Sequence, residues 1–306
     1  MTIRVAIPDM ISPSYFPAIA AVELGFFKQE GLDATVELLF PVTKTYDELR
    51  DGRLDYVGGA AHAPLYAFKD WAGCRLLCAL SQNMYWFLVV RADLKAERGD
   101  LQALRGLRIG AAPGPVDGLR QMLRDVGMDP AKDVQIGPVP GAIGDKASFG
   151  VMAAQALEEG KLDGFWANGM GYEVAIRKGV GKLLLDARRG DGTPGAVDYT
   201  FPAFVTTQAK LEKNPKEVAA ATRAICNAQL ALKKDPGLAT AAAAKHFPAP
   251  ETALIAELVR RDTPFYDGAL SRQKIAKLND FSIGMGILSK APAYEDLVPA
   301  ICREVW

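Results

Sequence analysis

One phrase occurs twice in this chain. Leu49-Arg50-Asp51-Gly52-Arg53-Leu54-Asp55-Tyr56-Val57 returns as Leu157-Glu158-Glu159-Gly160-Lys161-Leu162-Asp163-Gly164-Phe165, and each copy sits in the same run of elements. The strand-like Ile3-Arg4-Val5-Ala6-Ile7 is echoed by Leu107-Arg108-Ile109-Gly110-Ala111, and Gly31-Leu32-Asp33 by Gly127-Met128-Asp129. Two similar halves, each alternating strands with helices, require an α/β fold built largely from parallel βαβ units. Facing one another, such halves predict two lobes, each a mixed sheet flanked by helices, with a small-molecule cleft between them.

The 306 residues suit about two domains at roughly 100–200 residues each. The first lobe is expected to comprise residues 1–90 together with 200–306, and the second residues 91–199. That division assigns the helical tail to the first lobe because the tail has no counterpart in the second. The alternative is a separate helical domain after about residue 210. Strands are predicted at 3–7, 34–40, 56–59, 75–80 and 85–91 in the first lobe, and at 107–112, 134–139 and 164–167 in the second. A strand at 201–207 leads into helices over 215–233, 238–245, 250–262 and 271–286, and a further helix is predicted over 64–71.

Composition excludes several partners. Lys+Arg and Asp+Glu both number 36, so no charge excess marks a nucleic-acid or membrane-surface protein. No run approaches the ~20 apolar residues that span a bilayer, so membrane insertion is not expected. Met1-Thr2-Ile3-Arg4-Val5 enters strand pattern at once, without an export signal. A periplasmic location follows if such a signal has been removed, and a cytoplasmic one if the chain is native as given. Cys74, Cys78, Cys226 and Cys302 form no CxxC pair, and the only histidines are His62 and His246. Buried free thiols are expected, with no metal site and no cofactor.

In open α/β sheets, ligands gather beyond the carboxyl ends of the strands, which directs attention to loops. After the first strand, Ser12 reads either as a donor to a ligand or as a helix N-cap, Tyr15 as a stacking surface, and Phe16 as wall or core. After the third strand, the small residues of Gly58-Gly59-Ala60-Ala61 are expected to bring backbone amides close to a ligand, with His62 facing the cleft. Asn83 offers an amide and Trp86 a wall or a packing ring. In the second lobe Gly114 and Pro115 open a helix whose start could face an anion, although Asp117 opposes one. Phe149, Trp166 and Asn168 are expected at the same end, Trp166 stacking and Asn168 hydrogen bonding, with Tyr199 at the return crossing as hinge or wall. No cluster of Arg or Lys is predicted among these loops, so a planar, weakly charged heterocycle or aromatic acid fits better than nitrate or a sulfonate.

The run Tyr15-Phe16-Pro17-Ala18-Ile19-Ala20-Ala21-Val22-Glu23-Leu24-Gly25-Phe26-Phe27-Lys28-Gln29-Glu30-Gly31-Leu32-Asp33 resembles the opening of the substrate-binding proteins of the nitrate, alkanesulfonate/taurine and thiamine-pyrimidine-precursor transport class. The Gly-x-Leu-Asp phrases at 52–55 and 160–163, and Asp100-Leu101-Gln102-Ala103-Leu104-Arg105-Gly106-Leu107-Arg108-Ile109-Gly110, resemble the same class. The resemblance extends from Ile3 to about Leu288. It implies a type 2 periplasmic-binding-protein fold that closes around one small molecule and hands it to an ABC transporter permease. It also implies a runner-up, because enzymes have been built on this fold. One related group, which makes the thiamine pyrimidine, uses a histidine roughly where His62 stands, but its iron-associated cysteine cluster has no match in Cys74 and Cys78. GxSxG, Walker and HExxH signatures are missing, and His62 with Asp9 or Asp117 is the only acid–base pairing on offer. The expectation is a binder with no assigned catalytic residue.

Overall fold

The computed structural model describes residues 2–142 and 148–306. Among these, the strands are β1 (Ile3–Ile7), β2 (Ala34–Leu38), β3 (Tyr56–Ala60), β4 (Cys74–Ala79), β5 (Phe87–Arg91), β6 (Arg108–Ala111), β7 (Gln135–Gly137), β8 (Gly164–Ala167), β9 (Gly181–Asp186) and β10 (Pro202–Thr207). The helices begin with α1 (Phe16–Glu23), α2 (Phe26–Gln29), α3 (Val42–Arg50), α4 (Val116–Asp125), α5 (Phe149–Glu158) and α6 (Gly169–Arg177). They continue with α7 (Gln208–Lys213), α8 (Pro215–Lys234), α9 (Leu238–Ala243), α10 (Ala249–Asp262), α11 (Arg272–Gly284), α12 (Tyr294–Leu297) and α13 (Ala300–Arg303). The chain divides into two compact units, Met1–Gln82 with Thr200–Trp306, and Asn83–Tyr199.

Unit 1 holds a five-stranded sheet in the order β2-β1-β3-β10-β4, and unit 2 one in the order β7-β6-β8-β5-β9. In each sheet the first three strands pair in parallel and one antiparallel strand, β10 or β5, is inserted beside them. That inserted strand is the first one formed after the chain enters the unit. The similarity reaches irregularities. The pairing of β10 with β4 slips between Phe204 and Val205, and that of β5 with β9 slips at the matching step between Leu88 and Val89. A slip of this kind sharpens the local strand twist.

The repeated phrase has a structural task at the amino ends of β3 and β8. Gly52 (φ 74°) and Gly160 (φ 68°) end the preceding helices in the left-handed conformation that favours glycine. Leu54 and Leu162 are then buried, and the aspartate ties its strand to the neighbour. Asp55 Oδ2 accepts the Arg4 amide at 2.8 Å, and Asp163 Oδ2 accepts the Arg108 amide at 3.0 Å. The arginines reach back to the turn, Arg4 to the Arg53 carbonyl at 2.6 Å and Arg108 to the Gly160 carbonyl at 3.0 Å. Asp163 additionally accepts from Arg108 Nε at 2.9 Å.

Side-chain hydrogen bonds from Arg108 hold the Asp163 carboxyl below the usual aspartate range, outweighing the opposing effect of burial. We expect Asp163→Ala to cost about 2 kcal/mol, since it strands a guanidinium and an amide that shared one carboxylate. The folded carboxyl titrates below the unfolded one, so this stabilisation is complete above about pH 4 and fades as pH falls through the lower folded value. Asp163→Asn should therefore flatten the acid limb of stability, read from thermal melts between roughly pH 3 and pH 7.

Four differences from the sequence reading have physical causes. The strand at 85–91, expected to complete the first lobe, is β5 of the second sheet, because the chain leaves unit 1 at Gln82. The helix expected over 64–71 is two short 3-10 turns, Ala63–Tyr66 and Lys69–Trp71, broken by extended Phe68 and by left-handed Asp70. Helix α6 was not anticipated because Gly169 and Gly171 weaken its helical signal. Strand β9 was missed because Lys182 and two glycines, at 179 and 181, interrupt the apolar pattern; it is an edge strand, where a lysine is well tolerated. The four cysteines are buried free thiols.

Helix α8 shows why the tail belongs to unit 1. Its buried Val218, Ala221, Ile225, Ala228 and Leu232 recur at helical spacing, and that stripe lies along α1 and α2.

Candidate functional site

In unit 1 the carboxyl ends of β1, β3 and β4 and the entry to β10 form one edge of the sheet. The loop after β1 is built from consecutive turns, with the Ser12 amide on the Asp9 carbonyl at 3.3 Å and the Tyr15 amide on the Ser12 carbonyl at 3.2 Å. The helical tail fixes this loop from behind. Ser14 Oγ donates to Asp262 Oδ2 at 2.9 Å, and the Tyr266 hydroxyl donates to the Pro13 carbonyl at 2.6 Å. Ser12 does not cap α1, whose N-cap position is Tyr15. The Ser12 side chain is completely buried, and its Oγ has no hydrogen-bond partner among the described residues. A buried hydroxyl left in that condition costs about 1–3 kcal/mol. Tyr15 is buried next to it in sequence, while Phe16 packs edge-on against Phe247 with ring centroids 6.0 Å apart, which places it in the core.

The loop after β3 is tied to the sheet. Gly58, Gly59 and Ala60 are paired with β10, and the Ala61 amide donates to the Phe201 carbonyl at 2.8 Å, so the Ala61 amide is consumed by the sheet. The glycines serve packing instead: a Cβ at Gly59 would lie 2.8 Å from the Tyr46 hydroxyl, and one at Gly58 3.0 Å from Leu80 Cδ1. His62 follows, fully buried, with Nδ1 2.9 Å from Thr200 Oγ1 and its ring edge-on to Phe281 at 5.5 Å. Thr200 is itself fully buried. A hydroxyl on one ring nitrogen fixes the orientation of the imidazole. Gln82 spends its amide on the Asp267 and Ala269 carbonyls at 2.7 and 2.9 Å.

Unit 2 presents the matching edge, at the carboxyl ends of β6, β8 and β9 and the start of β5. Trp166 is fully buried; its indole N–H donates to the Pro115 carbonyl at 2.9 Å, and its ring lies 6.0 Å from that of Trp86. Trp86 in turn lies tilted against Tyr85, with ring centroids 4.3 Å apart. Gly114 adopts φ 84° and turns the chain into α4. Asp117 is buried, with Arg120 Nη1 3.7 Å away. Asn168 caps α6, its Oδ1 accepting the Met170 and Gly171 amides at 2.8 and 3.2 Å, so that oxygen is committed to the helix. Phe149 opens α5 and is buried. The Tyr199 hydroxyl donates to Asp125 in the last turn of α4 and meets Thr193 Oγ1 at 3.2 Å. Burial, then the Asp125 hydrogen bond, raises its pKa. Tyr199 therefore braces α4.

Sequence reasoning missed Arg188. It sits in the turn Ala187–Arg189 directly after β9, is 2% exposed, and holds its guanidinium 5.9 Å from the Tyr85 ring centroid. The Arg188 carbonyl accepts from Asn83 Nδ2 at 3.4 Å, and Asn83 takes a left-handed φ of 68°. The available signal was Arg188-Arg189-Gly190 after the apolar Leu183-Leu184-Leu185, which carried no meaning until β9 was recognised. A buried guanidinium is suited to a carboxylate or sulfonate, which it can grip with two parallel hydrogen bonds.

Comparison with known proteins supplies the family. The NMT1-like family matches residues 12–246. YtlA of Bacillus subtilis (strain 168), a protein named for a binding role, is 27% identical over 231 residues, covering 70% of this chain; the match spans only 61% of that protein's length. The alkanesulfonate-binding protein SsuA of Xanthomonas axonopodis pv. citri, solved with MOPS, is similar in structure with a TM-score of 0.75 at 16% identity, over 97% of each chain. The desulfurization enzyme DSZB is also similar, with a TM-score of 0.66 at 15% identity, over 99% of this chain and 98% of its own. At such identities a structural likeness speaks for fold. With the family match and the sheet orders above, it leads to one statement: the chain belongs to the NMT1-like family and has the type 2 periplasmic-binding-protein fold.

Proposed function

We propose that this protein is a solute-binding protein that holds one small aromatic or heterocyclic organic anion and delivers it to an ABC transporter permease. The observation that carries the reading is the buried Ser12 hydroxyl, which has no hydrogen-bond partner among the described residues and lies in the loop after β1. Residual polar demand at a rigid strand end is what a ligand satisfies. In unit 1, Tyr15 and His62 follow the same strand ends as Ser12 and offer flat rings; unit 2, taken by itself, carries Trp86, Trp166 and the buried guanidinium of Arg188 at its own strand ends, a group suited to an anion. Among the described residues no helix is long and apolar enough to cross a membrane. The name of one structural neighbour supports the binding part of the reading: SsuA is named for alkanesulfonate binding.

A thermal-shift screen with aromatic carboxylates, pyrimidines, sulfonates and nitrate would identify the ligand class, and calorimetry on the stabilising compound would measure affinity. Ser12→Ala makes the sharp test. Without ligand it should match or exceed the wild-type stability by up to about 1 kcal/mol, because an unsatisfied buried oxygen is removed. With ligand it should lose about tenfold in affinity. A destabilised free protein with undiminished affinity would defeat the reading.

A second reading is supported by the geometry of His62, whose imidazole is held by Thr200 in a dry setting. On the same fold an enzyme could use that ring as a base, and DSZB is an enzyme with this architecture. Conversion of the stabilising compound, lost in His62→Gln, would favour the enzyme; stabilisation without conversion favours the binder.

A further inference from the structure

Unit 1 contains a cavity of about 550 Å³ that none of the foregoing uses. It opens at the amino ends of β3 and β4, where β10 finishes, so it lies at the sheet edge opposite Ser12 and His62. We propose that this cavity is a second binding site, for a small organic anion with an apolar body. This proposal is independent of the ligand reading above.

Three observations support it. The first is size and lining: the volume falls within the ~300–1,000 Å³ of ordinary ligand pockets, and the floor is apolar, made by Leu49, Leu54, Phe68 and Ala72. The second is charge. Four cations, Arg50, Lys69, Lys210 and Lys213, and one carboxylate, Asp55, line the cavity. Arg50 is paired with Asp47 and Asp51, and Lys210 with Asp55 and Glu217, each at 2.7–3.0 Å. Among the described residues Lys69 and Lys213 form no ion pair, so two of the lining ammonium groups have no carboxylate paired with them. The third is a strained stretch within the wall, between the lining residues Lys69 and Ala72. Beside Lys69, Asp70 and Trp71 stand consecutively at φ 51° and 64°, a conformation that costs roughly 1–2 kcal/mol for each non-glycine residue.

That wall is held from outside the cavity. Asp70 Oδ1 accepts the Ser289 amide at 2.8 Å, and the Trp71 indole donates to Asn279 Oδ1 at 3.0 Å. The Gly73 carbonyl accepts the Gln208 amide at 2.7 Å, which ties the same segment to the start of α7. Strain fastened in this way is a mark of preorganised ligand clamps. Apolar lining together with an excess of cations over its single, paired carboxylate selects an amphipathic anion over inorganic phosphate, which would gain nothing from Leu49 or Phe68.

Fluorescence titration with 8-anilinonaphthalene-1-sulfonate tests the proposal on the full chain. We expect a saturable phase that persists in Ser12→Ala and is weakened about tenfold by the double variant Lys69→Glu/Lys213→Glu and by raised salt. Ala209→Trp, on the exposed rim, should reduce binding by filling the cavity. The uncharged N-phenyl-1-naphthylamine should bind about tenfold more weakly than the sulfonate, which shows that the anion is read. All three substituted residues are exposed, so melts should stay near wild type. Absence of saturable binding would overturn the proposal. So would unchanged dye affinity in both variants, or dye binding that falls with Ser12→Ala and not with the lysine double variant.

Discussion

Trp166→Ala is expected to remove about 3–5 kcal/mol from stability, the largest loss from a side-chain truncation that we foresee. The ring is fully buried on β8, the middle strand of its sheet, and faces Trp86. Truncation leaves a void that flanking strands paired on both sides cannot close, and deprives the Pro115 carbonyl of its donor. Trp166→Phe separates the contributions. It retains most of the apolar volume, loses the N–H donor, and should cost about 1–2 kcal/mol in urea unfolding. Hydrogen exchange would locate the damage in unit 2. If the ring also touches ligand, Trp166→Phe lowers affinity about fivefold; unchanged affinity would confine Trp166 to the core.

The second large effect is Gly171→Ala. In an exposed helix interior, alanine is the better residue by about 1 kcal/mol. Here the sign reverses, and we expect a loss of about 3 kcal/mol. Helices α5 and α6 touch backbone to backbone: a Cβ at Gly171 would lie 2.7 Å from the Gly150 carbonyl oxygen and 2.8 Å from its Cα. A Cβ at Gly150 would in turn meet Asn168 Oδ1 and the Gly171 nitrogen, both at 2.9 Å. Neither side is a flexible tip that could move aside. Forcing the helices apart would also disturb the Asn168 cap. Gly284→Ala is the control, because nothing lies within 4 Å of the added carbon and φ is not left-handed; it should stabilise by roughly 0.4–1 kcal/mol. Similar melting of both variants would refute the contact argument.

Much of the fold was readable because duplication supplies its own comparison. The phrases at 49–57 and 157–165 marked the same strand entry in each half, and the structure explains their spacing through Gly52 and Gly160, Leu54 and Leu162, and Asp55 and Asp163. The site was less readable. Ser12 could be singled out as a loop hydroxyl, but its burial and lack of partner depend on residues far along the chain that close over it. Thr200 had no signal at all, since its role depends on His62 lying 138 positions away. Gly58 and Gly59 were informative and misleading together: small residues were correctly marked as special, but the close neighbours are Leu80 and the Tyr46 hydroxyl, not a ligand.

By itself the sequence determined the alternation of strands and helices, the duplication, and the helical stripe that binds the tail to unit 1, because these are local periodicities written in neighbouring residues. Only tertiary structure decided which sheet receives β5, which hydroxyl is stranded, and that Arg188 is buried at a strand end. Pairing partners and desolvation are set by groups distant in the chain, and no local pattern encodes them.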